Sequence, residues 1–251
     1  MGRVPAWMGN SVDLRCAFHY SGSLGGGDFA EVVPLSPHLL AFYLVDVTGH
    51  GDAVQGFCPL IRAYMRAVLC TGVSPLPPEA LLQCMNQDLC SRGHGLSTFA
   101  IWFAVFDSER RILRYSSAGH PPAYLMEPVR RSVGLRFWER SRPARESLTA
   151  RALSCRTPAI GMVPDLRFRG ADVAVHHGSR LYLFSDGLYE CADAPDDWNL
   201  TALVDLLRER DGEAARGGRP ADPSALMQEV EGRMGRAGFD DDVSLLTLHF
   251  P

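Results

Sequence analysis

The chain has 251 residues, 46% hydrophobic and 22% charged, with a net charge of -4 and a pI near 6.1. That composition fits a globular protein with a substantial core and excludes a nucleic-acid binder that relies on bulk positive charge. All 25 basic residues are arginine, which removes a P-loop lysine, a Schiff-base lysine and a lysine general base.

Taken in chain order, runs rich in β-branched and aromatic residues predict strands at about Asp13 to Tyr20, Phe29 to Pro34 and Leu39 to Val47. Two helices follow. Val54, Phe57, Ile61, Met65 and Val68 keep helical spacing in the first, and Pro59 should kink or restart it. The second opens on Pro78 and carries Leu81, Leu82, Met85 and Leu89 on one face. Strands are next expected at Thr98 to Asp107 and Arg111 to Ser117, a hairpin turning at "SER", then at Ala123 to Met126, Leu166 to Val175 and Leu181 to Ser185. Helices over Leu200 to Arg208 and Pro223 to Met234, separated by a polar loop "RDGEAARGGRPAD", precede a last strand from Val243 to Phe250. Strands cluster and helices pair without βαβ alternation, so the pattern predicts an α+β layered domain with mostly antiparallel sheets. With no repeat and no interior linker, residues 1–251 read as one domain.

From Val129 to Arg156 there are eight arginines and two glutamates, a local balance of +6. This segment reads as a solvated insertion loop; the alternative is a docking arm for an acidic partner. The seven cysteines (Cys16, Cys58, Cys70, Cys84, Cys90, Cys155, Cys191) never fall as C-x-x-C, which points to reduced thiols rather than disulfides or zinc. The longest uncharged apolar run, "LSTFAIWFAVF" from Leu96, is shorter than the roughly 18 residues a bilayer requires. The first residues do not read as a basic n-region followed by an apolar h-region. A cytoplasmic location is therefore expected, with neither membrane nor nucleic acid as a partner.

The aspartates carry the chemical signal. Asp28 follows "GGG", Asp46 closes "LLAFYLVDV" before "TGHG", Asp186 closes "LYLFSDG", and Asp240, Asp241 and Asp242 lead into the final strand. A carboxylate within or against an apolar strand is costly to desolvate unless a positive charge neutralises it. No arginine stands beside these positions, so a bound cation is the economical partner. Oxygen ligands without a His/Cys cluster favour Mg²⁺ or Mn²⁺ over zinc. The glycines before Asp28 also suggest a GGDEF cyclase, but Phe29 stands where that motif needs a second acidic residue.

In order, "GGGDF", "DVTGHG", "STFAIWFAVFD", "YSSAGHPPAYL", "PAIGMVPD", "LYLFSDGLYE" and "DDDVSLLTL" resemble the metal-dependent type 2C (PPM) serine/threonine phosphatases. The closer resemblance is to their bacterial sporulation and stress-response branch, the SpoIIE-like phosphatases. It implies a four-layer α-β-β-α sandwich with two mostly antiparallel central sheets. It implies two Mn²⁺ or Mg²⁺ ions, with room for a third. Asp28 and Asp46 would share the bridging water, the Val47 carbonyl would be a further ligand, and Asp186 and Asp241 would complete the ligands of the second ion. Asp241 is chosen by aligning "DDVS"; a shift by one would make Asp242 or Asp240 the ligand instead.

The implied activity is hydrolysis of phosphoserine or phosphothreonine by a metal-activated water. The implied substrate is a small anti-anti-sigma (STAS-type) regulator, with an upstream sensor or receiver domain in many relatives; a homodimer is compatible with this. His50 and His120, in "TGHG" and "AGHP", are either packing residues or proton donors. Two departures stand out. Glu31 stands where this branch often carries another aspartate, which would alter an outer ligand. Pro59 interrupts the first of the two helices through which the branch is switched. The competing reading is a phosphatase-fold module that binds a phosphoprotein or anti-sigma partner without turnover.

Overall fold

The computed structural model describes residues 12–20, 26–49, 52–70, 76–91, 98–128, 148–191, 194–217, 222–235 and 238–251. Among these residues ten strands form two five-stranded sheets, and the strand pairings are antiparallel. Sheet I contains β2 (Phe29–Pro34), β3 (Leu39–Val47), β4 (Phe99–Asp107), β5 (Ile112–Ala118) and β8 (Ala171–Ala174), in that spatial order. Sheet II runs β1 (Asp13–His19), β10 (Val243–Phe250), β9 (Ser179–Phe184), β6 (Ala123–Pro128) and β7 (Leu148–Leu153).

The layers follow from the two-residue period of strand side chains. In β3, Leu40, Phe42 and Leu44 face sheet II, while Ala41, Tyr43 and Val45 face α1 (Asp52–Leu69) and α2 (Pro78–Ser91). In β9, Leu181 and Leu183 face sheet I, and Tyr182 and Phe184 face α3 (Leu200–Gly217) and α4 (Pro223–Met234). Both faces of each sheet are covered, which is why these strands read as unbroken apolar runs. The result is an α-β-β-α sandwich. Among the described residues no helix is long and apolar enough to cross a membrane, and no two of the seven cysteines are joined in a disulfide.

Several boundaries differ from the sequence expectation. α1 is one helix through Pro59, which is exposed while Phe57, Cys58 and Ile61 pack on sheet I; burial of that stripe outweighs the missing N–H. α3 continues to Gly217, into the stretch read as polar loop. Its added turns are held by Asp211 against Arg180, and by Arg210 bound to Glu229 of α4 at 2.7 Å. The stretch read as a strand from Leu166 is strand only over Ala171–Ala174; Leu166 and Phe168 instead pack on the helix side of sheet I. Most of the arginine-rich segment, 129–147, lies outside the described residues. Its end is not loop: Leu148–Leu153 is β7, an edge strand with Leu148 and Leu153 buried and Arg151 exposed.

Candidate metal centre

The pairings bring one end of each sheet together. Phe29 at the start of β2 pairs with Val45, and Val47 at the end of β3 pairs with Phe99. In sheet II, Phe184 at the end of β9 pairs with Leu245, and His19 at the end of β1 pairs with Val243. Strand alternation then chooses the side chains. Ala30 and Val32 of β2, with Leu40, Phe42 and Leu44 of β3, occupy the inter-sheet core, so Asp28 and Asp46 continue the same inward series. Leu246 and Leu248 do the same for Ser244 and Asp242, and Leu181 and Leu183 for Ser185.

A loop joins the two sheets here. The Gly27 N–H donates to the Asp242 carboxylate at 2.7 Å, and the Gly27 carbonyl accepts from the Val47 N–H at 3.4 Å and the Cys58 thiol at 3.6 Å. A Cβ on Gly27 would lie 2.6 Å from the Val47 carbonyl oxygen, and one on Gly187 would lie 2.5 Å from the Asp242 carbonyl oxygen. Backbone cannot yield as a side chain can, so glycine is required at both positions. Asp241 is exposed and accepts from the Asp242 N–H at 2.8 Å.

Asp28 is only 3% exposed, and its Oδ2 has no hydrogen-bond partner. Burial, and then the neighbouring Asp46, push its pKa up to about 8; the Ser185 and Ser244 hydroxyls beside it oppose the rise, and Asp242 adds to it. Ser244 Oγ itself lacks a partner at hydrogen-bonding geometry, while Ser185 Oγ accepts from the Ser244 N–H at 2.9 Å. Asp46 is raised to about 6 by burial, then by Asp186, Asp241 and Asp242, against a hydrogen bond with Asp28. Asp186 is raised by burial and by Asp241. The five carboxylates therefore share one electrostatic site, although among the described residues no three His, Cys, Asp or Glu side chains close on one point as a ready cage. An orphaned buried carboxylate oxygen, facing other carboxylates and, among the described residues, no cationic side chain in hydrogen-bond contact, fits a hard divalent cation.

Glu31 and His120, both singled out in the sequence, have partners of their own in the fold. Glu31 lies on the opposite face of β2 from Asp28, directed at α1. It accepts from the Tyr43 hydroxyl at 2.7 Å, Arg62 at 3.1 Å and Arg66 at 2.9 Å, so it is a fixed anchor for α1 and not an altered outer ligand. His120 is buried, its Nδ1 donating to the Pro121 carbonyl at 3.0 Å. Burial lowers its pKa to about 4, and its buried Nε2 has no hydrogen-bond partner. His50 lies outside the described residues. Ser185 and Ser244 are the site neighbours that sequence reading missed, although counting inward positions back from Leu183 and Leu246 would have found both.

The fold is that of the PP2C phosphatase domains. The RsbU and RsbW domains of Rv1364c from Mycobacterium tuberculosis superpose with a TM-score of 0.73 at 19% identity, over 96% of this chain and 60% of that one. The SiaA PP2C domain of Pseudomonas aeruginosa gives 0.71 at 19% identity, over 95% and 86%. The family model for Stage II sporulation protein E (SpoIIE) matches residues 36–251, and the chain belongs to that family. Asp28 precedes the matched stretch. Phosphoserine phosphatase RsbP of Bacillus subtilis (strain 168) is 24% identical over 202 residues, 80% of this chain and 44% of RsbP, so the chain spans less than half that relative's length.

Proposed function

We propose that the chain is a Mn²⁺- or Mg²⁺-dependent protein serine/threonine phosphatase acting in the cytoplasm on a phosphorylated regulatory protein. The observation that carries this reading is Asp28: a buried carboxylate with an unpartnered oxygen, set against Asp46 at the shared end of both sheets. Asp28 and Asp46 would hold a pair of ions between them with the Val47 carbonyl, and Asp186 and Asp241 would complete the second ion's ligands. Asp241 is assigned that role by the alignment of "DDVS", and its charge acts on both Asp46 and Asp186.

When bound, such ions lower the pKa of water and offset charge on phosphoryl oxygens, which is the chemistry phosphomonoester hydrolysis needs. The chain's own part is to fix these carboxylates through Gly27 and Gly187 and to keep Asp28 away from bulk water. Membership of the SpoIIE family and the name of the relative RsbP support a phosphoserine substrate, and a small anti-anti-sigma (STAS-type) protein is the partner that fits.

The test is hydrolysis of p-nitrophenyl phosphate with and without Mn²⁺, for the protein and for Asp46→Ala and Asp186→Ala. Outer partners of metal ligands are worth about 10- to 100-fold, so loss of either aspartate should lower turnover by more than about 100-fold. A folded protein without metal-dependent turnover would overturn the enzyme reading in favour of a phosphoprotein-binding module.

A further inference from the structure

Tyr20 stands at the same end of the sandwich as the carboxylates. It follows the last residue of β1, and the register that pairs His19 with Val243 brings Tyr20 beside Asp242 when continued by one residue. Leu14, Cys16 and Phe18 pack into the inter-sheet core, so Tyr20 is the next inward position, on the side shared by Asp28, Asp46 and Asp242. Its ring is stacked on Phe18, with centroids 6.1 Å apart and planes 10° from parallel. Unlike Ser185 and Ser244, which are buried, Tyr20 is 43% exposed. A phenol keeps its proton at neutral pH, so the hydroxyl is a donor.

These features matter because of what surrounds them. A phosphomonoester dianion that enters this end meets carboxylates, and Arg62, whose charge reaches Tyr20, is committed to Glu31 at 3.1 Å and to the Phe29 ring at 4.2 Å. A neutral donor can bind the dianion without forming an ion pair with the metal-binding aspartates. A hydrogen bond to an ionised acceptor is about twice as strong as a neutral one. The stack on Phe18 also fixes the ring before substrate arrives, so little side-chain freedom is lost on binding.

We propose that Tyr20 is a substrate-contacting residue whose phenol O–H donates to a non-bridging phosphoryl oxygen of the bound phosphomonoester. The inference rests on the metal-centre reading above. It is tested by calorimetric titration of inorganic phosphate into the Mn²⁺-loaded protein, and of Mn²⁺ into the metal-free protein, for wild type, Tyr20→Phe and Asp46→Ala. Tyr20→Phe keeps the ring and its stack and removes only the donor.

The expected result is about a tenfold weaker phosphate Kd in Tyr20→Phe, with the Mn²⁺ Kd and the melting temperature unchanged. With p-nitrophenyl phosphate, kcat/KM should fall by a similar factor. An unchanged phosphate Kd in Tyr20→Phe, alongside lost Mn²⁺ binding in Asp46→Ala, would overturn the role of Tyr20 and leave the metal centre standing. A Tyr20→Phe protein that loses Mn²⁺ affinity as well as phosphate affinity would also overturn it, because the residue would then be serving the metal loop. Undiminished Mn²⁺ binding in Asp46→Ala would remove the metal centre, and this inference with it.

Discussion

Among the described residues three carboxylates are buried to a similar depth: Asp28 at 3% exposure, Glu31 at 1% and Asp211 at 1%. Glu31 joins sheet I to α1 through Tyr43, Arg62 and Arg66, and Asp211 joins α3 to sheet II through Arg180 and the Tyr182 hydroxyl at 2.9 Å. Each is an arginine–carboxylate–tyrosine cluster fastening an outer helix to its sheet. Asp28 has no such cluster and faces other acids instead. Depth of burial does not separate a structural carboxylate from a functional one. The charge on its neighbours does, because an unneutralised buried carboxylate is destabilising unless something bound later makes up for it.

The comparison is tested hardest at Asp211. Asp211→Ala would strand Arg180, whose side chain is 9% exposed and whose Nε already lacks a partner. Removing one partner of a buried ion pair costs about 3–5 kcal/mol, and a urea melt should show a loss of that order with Mn²⁺ affinity unchanged. A loss below about 1 kcal/mol would mean that the cluster does not fasten α3. Glu31→Ala should cost less, about 2 kcal/mol, because Arg62 and Arg66 are 36% and 61% exposed and can turn to water, leaving chiefly the Tyr43 hydroxyl unpaired. A larger loss at Glu31 than at Asp211 would reverse the ranking and show that solvent does not rescue those arginines.

Legibility in the sequence followed the same division. Asp28, Asp46, Asp186 and the acidic triplet could be read because each interrupts or abuts an apolar strand, a local anomaly visible without a fold. Glu31 could not be assigned from sequence: its partners are 31 and 35 residues away on a helix, and only the packing of α1 on β2 shows that it points away from the site. β7 was hidden because Arg151 breaks the apolar alternation of an edge strand, where solvent tolerates a charge. The end of α3 was hidden because Asp211 reads as a loop residue until Arg180, on another layer, gives it a partner. Tyr20 reads as one more strand aromatic; its place beside Asp242 depends on a pairing between the two ends of the chain.

The smallest effect is also the one that sets the two kinds of carboxylate against each other, because their pH dependences have opposite signs. Asp28 and Asp46 have folded-state pKa values of about 8 and about 6, above their ordinary 3.8. The folded protein therefore holds protons that the unfolded chain has released. Their contribution to stability is fully present below the ordinary value and is lost as pH rises through 6 and then 8. Glu31 is pushed upward by burial, but Tyr43, Arg66 and Arg62 bring it below its ordinary 4.5. Its contribution is present above that value and is lost as pH falls through its lowered folded-state pKa. The metal-free protein should then melt at a lower temperature at pH 9 than at pH 6, and Asp28→Asn should flatten that slope, with no effect from Glu31→Gln on it. Saturating Mn²⁺ should flatten it too, because a bound cation stabilises the ionised carboxylates that alkaline pH otherwise turns against the fold. A slope that survives Asp28→Asn would place the titrating groups outside this pair.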